Sequence, residues 1–312
     1  SILLNNQKSG GYRVKSGYPA QRSGFTIFPN LNRKVPEGRS DISLKAELLA
    51  NKKFRKALSH AIDRQAIIDA AFYGLGEPAQ TGPGAESPYY YPALLQEAVE
   101  YNPEKANRML DDLGLTRPDK KKPRMGPEKE KLLFFFITLS EFDPKIIQMV
   151  LSDWRHIGID VRLRVMGRGL YGSNLRTGAY DFTVYVTMEE HLLLRPNIYI
   201  ATDHMSYEWR LWHESGGLYK NASADDGTFP SGPPPDHPLR DAMRAYDRFM
   251  AQATIEKRKP HAREFLEIAR ENLWHIGIAT PPPVFTAVDD ALRNYPEKEA
   301  KAFFFMDPAS NA

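Results

Sequence analysis

The chain has 312 residues, of which 42% are hydrophobic, and a net charge of +3 at pH 7. This length is enough for one large domain or two ordinary ones, each with its own core. No segment approaches the roughly 20 apolar residues that cross a bilayer. The absence of cysteine excludes disulfides, thiolate metal sites and cysteine nucleophiles.

The segment from 51 to 91 predicts one long helix followed by a loop rich in proline and glycine. Its apolar residues recur at intervals of three and four, which places them on one helical face: Phe54, Ala57, Leu58, Ala61, Ile62, Ile68 and Phe72. The opposite face is predicted to be exposed and carries Arg55, Lys56, His60, Asp63, Arg64 and Asp69. Gly74 and Gly76 are expected to end the helix.

The middle of the chain alternates between predicted helices and strands. Asn102 and Pro103 are typical of a helix start, and Asp143 with Pro144 predicts a second helix that ends at Gly158. Strands are predicted at 131–138, 159–165 and 180–187, with a short helix at 170–176 between the last two. This alternation predicts an α/β fold with a mixed sheet flanked by helices.

Two further helices are predicted beyond a Pro/Gly-rich loop at 227–235, over 239–252 and 256–276. Pro260 is tolerated only near a first helical turn, so the second of these helices is expected to begin later than its charge pattern indicates. Pro281 to Pro283 and the run VFTAV after them are expected to form a connecting strand and its partner.

Two motifs identify a family resemblance. The run FRKALSHAIDRQAIIDAAFYGLGEPA closely resembles the signature of the bacterial extracellular solute-binding proteins, family 5, which serve ABC importers of dipeptides and oligopeptides. The run NPEKANRMLDDLGL, Asn102 to Leu115, is similar to a second signature of that family and follows in the same order. The resemblance implies a periplasmic-binding-protein type II-like lobe, together with fragments of the partner lobe.

The resemblance also implies a division of the chain. Residues 1–24 would end the first lobe and enter the hinge, 25–275 would form the second, ligand-binding lobe, and 276–312 would carry the hinge and the return to the first lobe. The large first lobe that such proteins carry is therefore expected to be missing from this sequence. Phe285 and the phenylalanines at 303–305 would then form an exposed apolar patch.

The function implied by the resemblance is capture of a peptide or similar oligomeric solute between two lobes and its delivery to ABC permease subunits. We expect a monomer without enzymatic activity or cofactor, located in the periplasm or outside the cell. Its membrane association would come from the permease or from a lipid anchor outside this chain. The charged face with Arg55, Lys56 and Arg64 is a candidate contact for the permease, and a merely solvated face is the alternative.

The candidate ligand-binding residues lie between 180 and 217. Just beyond the predicted strand, Glu189 and Glu190 stand where the resemblance implies an acidic side chain against a ligand α-amino group; an exposed charge pair is the alternative. Trp209 and Trp212, three residues apart, offer flat apolar faces with polar N–H groups, although core packing is the alternative. Tyr185 on the strand itself is the remaining candidate.

Other functions have less support in the sequence. His191, His204 and His213 lie near carboxylates, but their spacing matches no standard metal-ligand set, so scattered polar loop residues are the preferred interpretation. The basic run RPDKKKPR at 117–124 lies in a proline-containing loop and is interpreted as solvated rather than as a nucleic-acid site. A secreted or periplasmic hydrolase of peptides or sugars, and a truncated lobe without ligand binding of its own, are the alternative functions.

Overall fold

A computed structural model describes residues 2–19, 23–85, 87–187, 193, 198–217, 232–280, 284–295 and 300–301. The strands are β1 (Tyr12–Pro19), β2 (Ser23–Pro29), β3 (Leu133–Leu139), β4 (Asp160–Met166), β5 (Phe182–Thr187), β6 (Ile276–Gly277), β7 (Val284–Asp289) and β8 (Ala300–Lys301). The helices are α1 (Ile2–Asn5), α2 (Gln7–Gly10), α3 (Ser40–Ala50), α4 (Lys52–His60), α5 (Arg64–Ala71), α6 (Pro92–Leu95), α7 (Pro103–Asp111), α8 (Pro144–His156), α9 (Arg168–Thr177), α10 (Asp203–Glu214), α11 (Pro238–Met250) and α12 (Ile255–Asn272).

The larger of the two sheets has five strands in the order β4-β3-β5-β2-β6. Strand β3 pairs in parallel with both β4 and β5, whereas β2 pairs antiparallel with β5 and β6. The predicted mixed sheet flanked by helices is therefore confirmed.

Helices cover both faces of this sheet because its side chains alternate between two hydrophobic cores. On one face, α8 places Trp154 with its ring centroid 4.9 Å from that of Phe182. On the other face, α11 and α12 pack together through Phe249 and Phe265, whose rings meet edge-on at 5.7 Å. The sheet thus forms the middle layer of three.

The helix boundaries follow from local capping. The side chain of Asn102 accepts a hydrogen bond from the Lys105 amide at the start of α7, and that of Asp143 accepts one from the Lys145 amide at the start of α8. Gly158 has a positive φ of 87° where α8 gives way to β4, a conformation that glycine adopts without strain. These predicted starts and stops are confirmed.

The single helix predicted after Asn51 is wrong, because the structure has two helices there, α4 and α5. The apolar spacing continues through the break, but the Asp63 side chain accepts a hydrogen bond from the Ala66 amide at 3.0 Å and so begins a new helix. An N-cap of this kind satisfies an amide that would otherwise lack a partner. The late start predicted for α12 is also wrong, since that helix begins at Ile255 and contains Pro260.

Two arginines expected to face solvent are buried instead. Arg55 donates to the carbonyl oxygens of Leu49, Asn272 and Leu273, and Arg64 is 1% exposed. Burial lowers the pKa of each guanidinium to about 9, which leaves both charged at neutral pH. The predicted exposed face is wrong for these two residues and for His60, which is 5% exposed, so neither arginine is available to a permease.

Arg64 joins α5 to β6. Its guanidinium donates to the carbonyl oxygens of Ser59, Val99 and Gly277 and to the Ser59 hydroxyl. The same strand passes so close to the 80–81 backbone that a Cβ on Gly277 would lie 2.4 Å from the Thr81 amide nitrogen. Only glycine fits there.

A buried ion cluster closes the amino end of the parallel strands. Asp181, which is fully buried, accepts from Arg33 Nε at 2.9 Å, from Lys45 Nζ at 3.0 Å and from the Phe135 amide at 2.8 Å. A buried carboxylate needs this complete set of partners to offset its lost hydration. The cluster therefore fixes the start of β5 beside β3.

The smaller sheet has the order β7-β1-β8. Strands β1 and β7 form an antiparallel ribbon, from the pair Tyr12 and Asp289 to the pair Gly17 and Val284. The predicted pairing strand at VFTAV is thus present, and Phe285 is 48% exposed. The prolines at 281–283 and the phenylalanines at 303–305 lie outside the described residues. None of the described helices has the length and apolar character to span a membrane.

Candidate functional site

The carboxyl ends of β3, β4 and β5 meet at one edge of the larger sheet, since these strands run in the same direction. The chain leaves β3 for β4 on one side and then returns to β5 on the other side. Helix α8 packs on the Phe182 face, whereas Tyr171 of α9 forms a hydrogen bond with Thr183 on the opposite face. A reversal of this kind opens a crevice between the loops, which is where α/β proteins usually bind ligands.

Tyr185, a predicted site residue, lies in an aromatic cluster toward this edge. Its ring stacks on His204 with centroids 4.2 Å apart and meets Phe142 edge-on at 5.8 Å. The ring of Tyr171 lies 6.1 Å from that of His204. Burial lowers the pKa of His204 to about 3, so its ring is neutral at pH 7. These rings hold the Tyr185 side chain in place and leave it half-buried.

An exposed ion pair links the loops that follow β3 and β4. Arg168 donates to Glu141, and their side chains are 69% and 56% exposed. This bond to Glu141, and to a smaller extent the nearby Tyr185 hydroxyl, raises the pKa of Arg168. The pair sets a cation and a carboxylate beside an aromatic ring, an arrangement that can hydrogen-bond both charged ends of a small zwitterion.

The amino termini of α8 and α9 also lie at this edge. The first amides of α8 are capped by Asp143, but α9 begins at Arg168, after Gly167, without a side-chain cap from any residue that the structure describes. Uncapped amides at a helix start are hydrogen-bond donors for an anionic group. Together with Arg168 they make the β4 side of the edge favourable to negative charge.

Glu189 and Glu190 lie outside the described residues, as does His191. Their predicted contact with a ligand amine therefore stays a prediction. The strand that precedes them, β5, ends at Thr187.

The two predicted tryptophans are not among the described ring contacts of Tyr185, which are Phe142 and His204. Trp209 is 6% exposed and its ring lies 5.1 Å from that of His237, which leaves it little surface for a ligand. Trp212 is half-buried, with the Arg240 guanidinium 4.5 Å from its ring centre. It lines a separate open groove of about 460 Å³ together with His213, Gly216, Gly217, Arg240, Met243, Arg244 and Asp247.

The histidines considered for a metal have other partners. His204 stacks on Tyr185, and His213 Nε2 lies 2.8 Å from an Asp247 oxygen. Within the described ranges, no three histidines or carboxylates are grouped in a way that could hold a metal ion.

The basic run at 117–124 is partly folded into the protein. Arg124 is 3% exposed and pairs with Asp111 at 2.6 Å. Arg117 donates to the carbonyl oxygens of Lys120, Lys122 and His156. The arginines therefore shape their own loop, and the exposed charges that remain are those of the lysines at 120–122.

Sequence reasoning missed Glu141, Phe142, Arg168 and Tyr171. A usable signal was present, because each lies within a few residues of the predicted end of a parallel strand. Carboxyl ends of parallel strands collect at one edge, so the residues just beyond the predicted strand ends at 138 and 165 were candidates by position alone.

The mixed sheet, the helices on both faces and the open carboxyl edge define a class of α/β solute-binding fold. The model of the bacterial extracellular solute-binding proteins, family 5 Middle, matches residues 4–191. The chain belongs to this family, as its two sequence motifs predict.

Similar proteins extend this assignment. The structure of an oligopeptide-binding protein, OppA, superposes with a TM-score of 0.80 at 27% identity, covering 95% of this chain and 47% of that one. Di/tripeptide-binding protein 1 of Pseudomonas aeruginosa is 27% identical over 190 residues, 58% of this chain and 33% of its own length. The nickel-binding periplasmic protein of Escherichia coli is 30% identical over 110 residues, 35% of this chain and 21% of its own length.

These relatives are named for binding rather than for catalysis, and their names include two different kinds of solute. The chain spans half or less of the length of each of these three proteins.

Proposed function

We propose that this chain is the solute-binding component of an ABC importer and that it captures a peptide or a similar oligomeric solute. The family match over residues 4–191 carries the proposal. Likeness to an oligopeptide-binding protein and to a di/tripeptide-binding protein favours a peptide over other solutes. By this proposal the protein works in the periplasm or outside the cell and delivers its solute to permease subunits.

The proposed binding surface is the carboxyl edge of the larger sheet. Tyr185 would pack against apolar parts of the solute, while Arg168 and the free amides of α9 would bind its carboxylate. Glu189 or Glu190, as the residues after β5, would bind its amino group. Trp212 lines a different groove and is the weaker candidate.

The proposed mechanism is closure of two lobes around the solute, with the larger sheet belonging to the second lobe and the β1–β7 ribbon to the hinge. The surface facing the carboxyl edge would come from a lobe equivalent to the half of OppA that this chain does not cover. A bound solute would stabilise the closed state because it contacts both lobes only there. A monomer is sufficient for this mechanism.

The test is titration calorimetry of the purified chain with a pool of short peptides, followed by native mass spectrometry to identify what is bound. We expect saturable uptake of intact peptide, and loss of at least tenfold in affinity in Tyr185→Ala because an aromatic contact is removed. Trp212→Ala is the matched control, since it removes an aromatic side chain from the other groove.

Three outcomes would contradict the proposal. Cleaved peptide in the mass spectrum would indicate a hydrolase. Uptake of nickel in preference to peptide would move the solute class toward that of the nickel-binding relative. Absence of any uptake, both alone and with the uncovered half of OppA supplied as a second chain, would indicate a lobe that does not bind solute.

A further inference from the structure

A further groove, distinct from the carboxyl edge and from the groove lined by Trp212, lies between the loop before α6 and the amino-terminal half of α12. It encloses about 440 Å³, open solvent included, and its lining is aromatic on one side and basic on the other. The residues that line it are Pro88, Tyr89, Tyr90, Tyr91, Lys259, Ala262, Arg263 and Leu266. None of these takes part in the aromatic cluster around Tyr185.

The tyrosine side of the groove has one exposed ring and one covered ring. Tyr91 is 9% exposed and lies under the Arg263 guanidinium, which is 3.9 Å from the ring centre. Tyr90 is 44% exposed. Tyr90 therefore provides the aromatic surface that an extended chain could contact.

The basic side is only partly neutralised by its own helix, where Glu256 pairs with Lys259 at 2.7 Å in an exposed ion pair. From 256 to 263 the sequence EKRKPHAR carries four lysines and arginines against one glutamate. Glu264 is held by Arg248, with both of its oxygens at 2.7 Å. In the described part of the chain, Arg263 has its contact with Tyr91 and makes no ion pair.

Pro260 follows Lys259 directly in α12 and removes one backbone hydrogen bond from the helix. Departures of this kind from local helix rules are typical of functional surfaces.

We propose that this groove is a docking site for an extended, acidic segment of a partner protein. Its carboxylates would pair with Arg263 and displace Glu256 from Lys259, and its apolar or proline side chains would lie on Tyr90. The groove is concave, and so fits a single extended chain better than the flat surface of a bilayer.

The test uses fluorescence anisotropy with a labelled peptide of alternating glutamate and proline. The wild-type protein should bind it, and the double variant Lys259→Gln, Arg263→Gln should bind about tenfold or more weakly, because two charge-assisted contacts are lost. Lys120→Gln with Lys121→Gln is the matched control: it removes the same charge from an exposed loop and should leave the affinity unchanged.

Charge reversal makes the test independent of folding defects. A Lys259→Glu, Arg263→Glu variant should reject the acidic peptide and bind a peptide of alternating lysine and proline. Tyr90→Ala should weaken binding of the acidic peptide about threefold to tenfold. Tyr185→Ala should leave it unchanged, which separates this groove from the proposed solute site.

Several results would overturn the proposal. Equal loss in the Lys120 and Lys121 control would mean non-specific attraction. Unchanged binding in both groove variants would place the peptide elsewhere. Groove-dependent binding to phosphatidylcholine vesicles that contain phosphatidylglycerol, without binding of the acidic peptide, would identify a lipid surface instead.

Discussion

The two ends of the larger sheet differ in the burial of their charged side chains. At the amino end, Asp181 is fully buried and Arg33 and Lys45 are nearly so, and the three side chains satisfy one another. At the carboxyl end, the ion pair of Arg168 and Glu141 is open to water. A closed cluster fixes strand positions, whereas an exposed pair can exchange its partner for a ligand. The interactions that stabilise the sheet thus lie at its amino end, and the proposed binding residues lie at its carboxyl end.

The largest expected effect on stability comes from removing the buried carboxylate at the amino end of the sheet. Asp181→Ala leaves two buried cations and the Phe135 amide without their acceptor, and we expect a loss of about 3–5 kcal/mol in the free energy of unfolding. Urea denaturation measures it. Asp181→Asn, which keeps one acceptor oxygen, should lose less, and Glu141→Ala at the open end should show no measurable change. Similar losses in Asp181→Ala and Glu141→Ala would refute the contrast between the ends.

A second buried cation extends the comparison to the β6 side of the sheet. Arg64→Met removes the donors for three carbonyl oxygens and one hydroxyl, so we expect a loss of about 2–4 kcal/mol in unfolding free energy. Lys53→Met is the control, because its pair with Asp112 is exposed and should contribute less than about 1 kcal/mol. Equal effects would mean that the carbonyl contacts of Arg64 add little.

A buried histidine next to β6 should make the stability of the protein depend on pH. His275 is 2% exposed, and burial lowers its pKa from 6.5 to about 3. Between these values the unfolded chain binds a proton that the folded chain does not, so stability falls as the pH drops below about 6.5, by up to about 1.4 kcal/mol per unit.

The variant His275→Phe removes this source of acid sensitivity. Its unfolding free energy should fall less steeply than that of the wild type between pH 6.5 and pH 4.5, in urea titrations at fixed salt. The expected gap between the two curves is about 2–3 kcal/mol at the acid end. Parallel curves would show that His275 gains a proton without cost in the folded state.

The smallest effect on folding is expected at the open end. Arg168→Gln removes one partner of an ion pair that water screens, so the melting temperature should not change measurably by differential scanning fluorimetry. Under the proposed function, the same variant should bind peptide at least tenfold more weakly, because the ligand carboxylate loses a charged donor. A clear drop in melting temperature would make Arg168 a structural residue and weaken the contrast.

The sequence predicted those elements whose causes are local. The caps at Asn102 and Asp143 and the glycine at 158 fixed the limits of α7 and α8, since each acts within a few residues. The break between α4 and α5 was missed because Ala61 and Ile62 keep the apolar spacing through it. There the backbone follows the Asp63 cap rather than the hydrophobic pattern.

Features that depend on distant segments could not be predicted. Arg55 is buried because it meets the carbonyl oxygens of Asn272 and Leu273, more than two hundred residues further along the chain. Tyr185 was identified from its strand, but its contacts with Phe142 and His204 depend on the order of strands in the sheet. Short-range patterns carry no information on that order.

The antiparallel pairing of β1 and β7 has a mechanical consequence. Both strands connect to the larger sheet from the same end of the ribbon, where Gly17 faces Val284. Sliding one strand along the other would break every cross-strand hydrogen bond, whereas flexing the ribbon out of its plane breaks none. Bending of the ribbon out of its plane is therefore the motion of least cost for β1 and β7, and sliding is the motion of greatest cost.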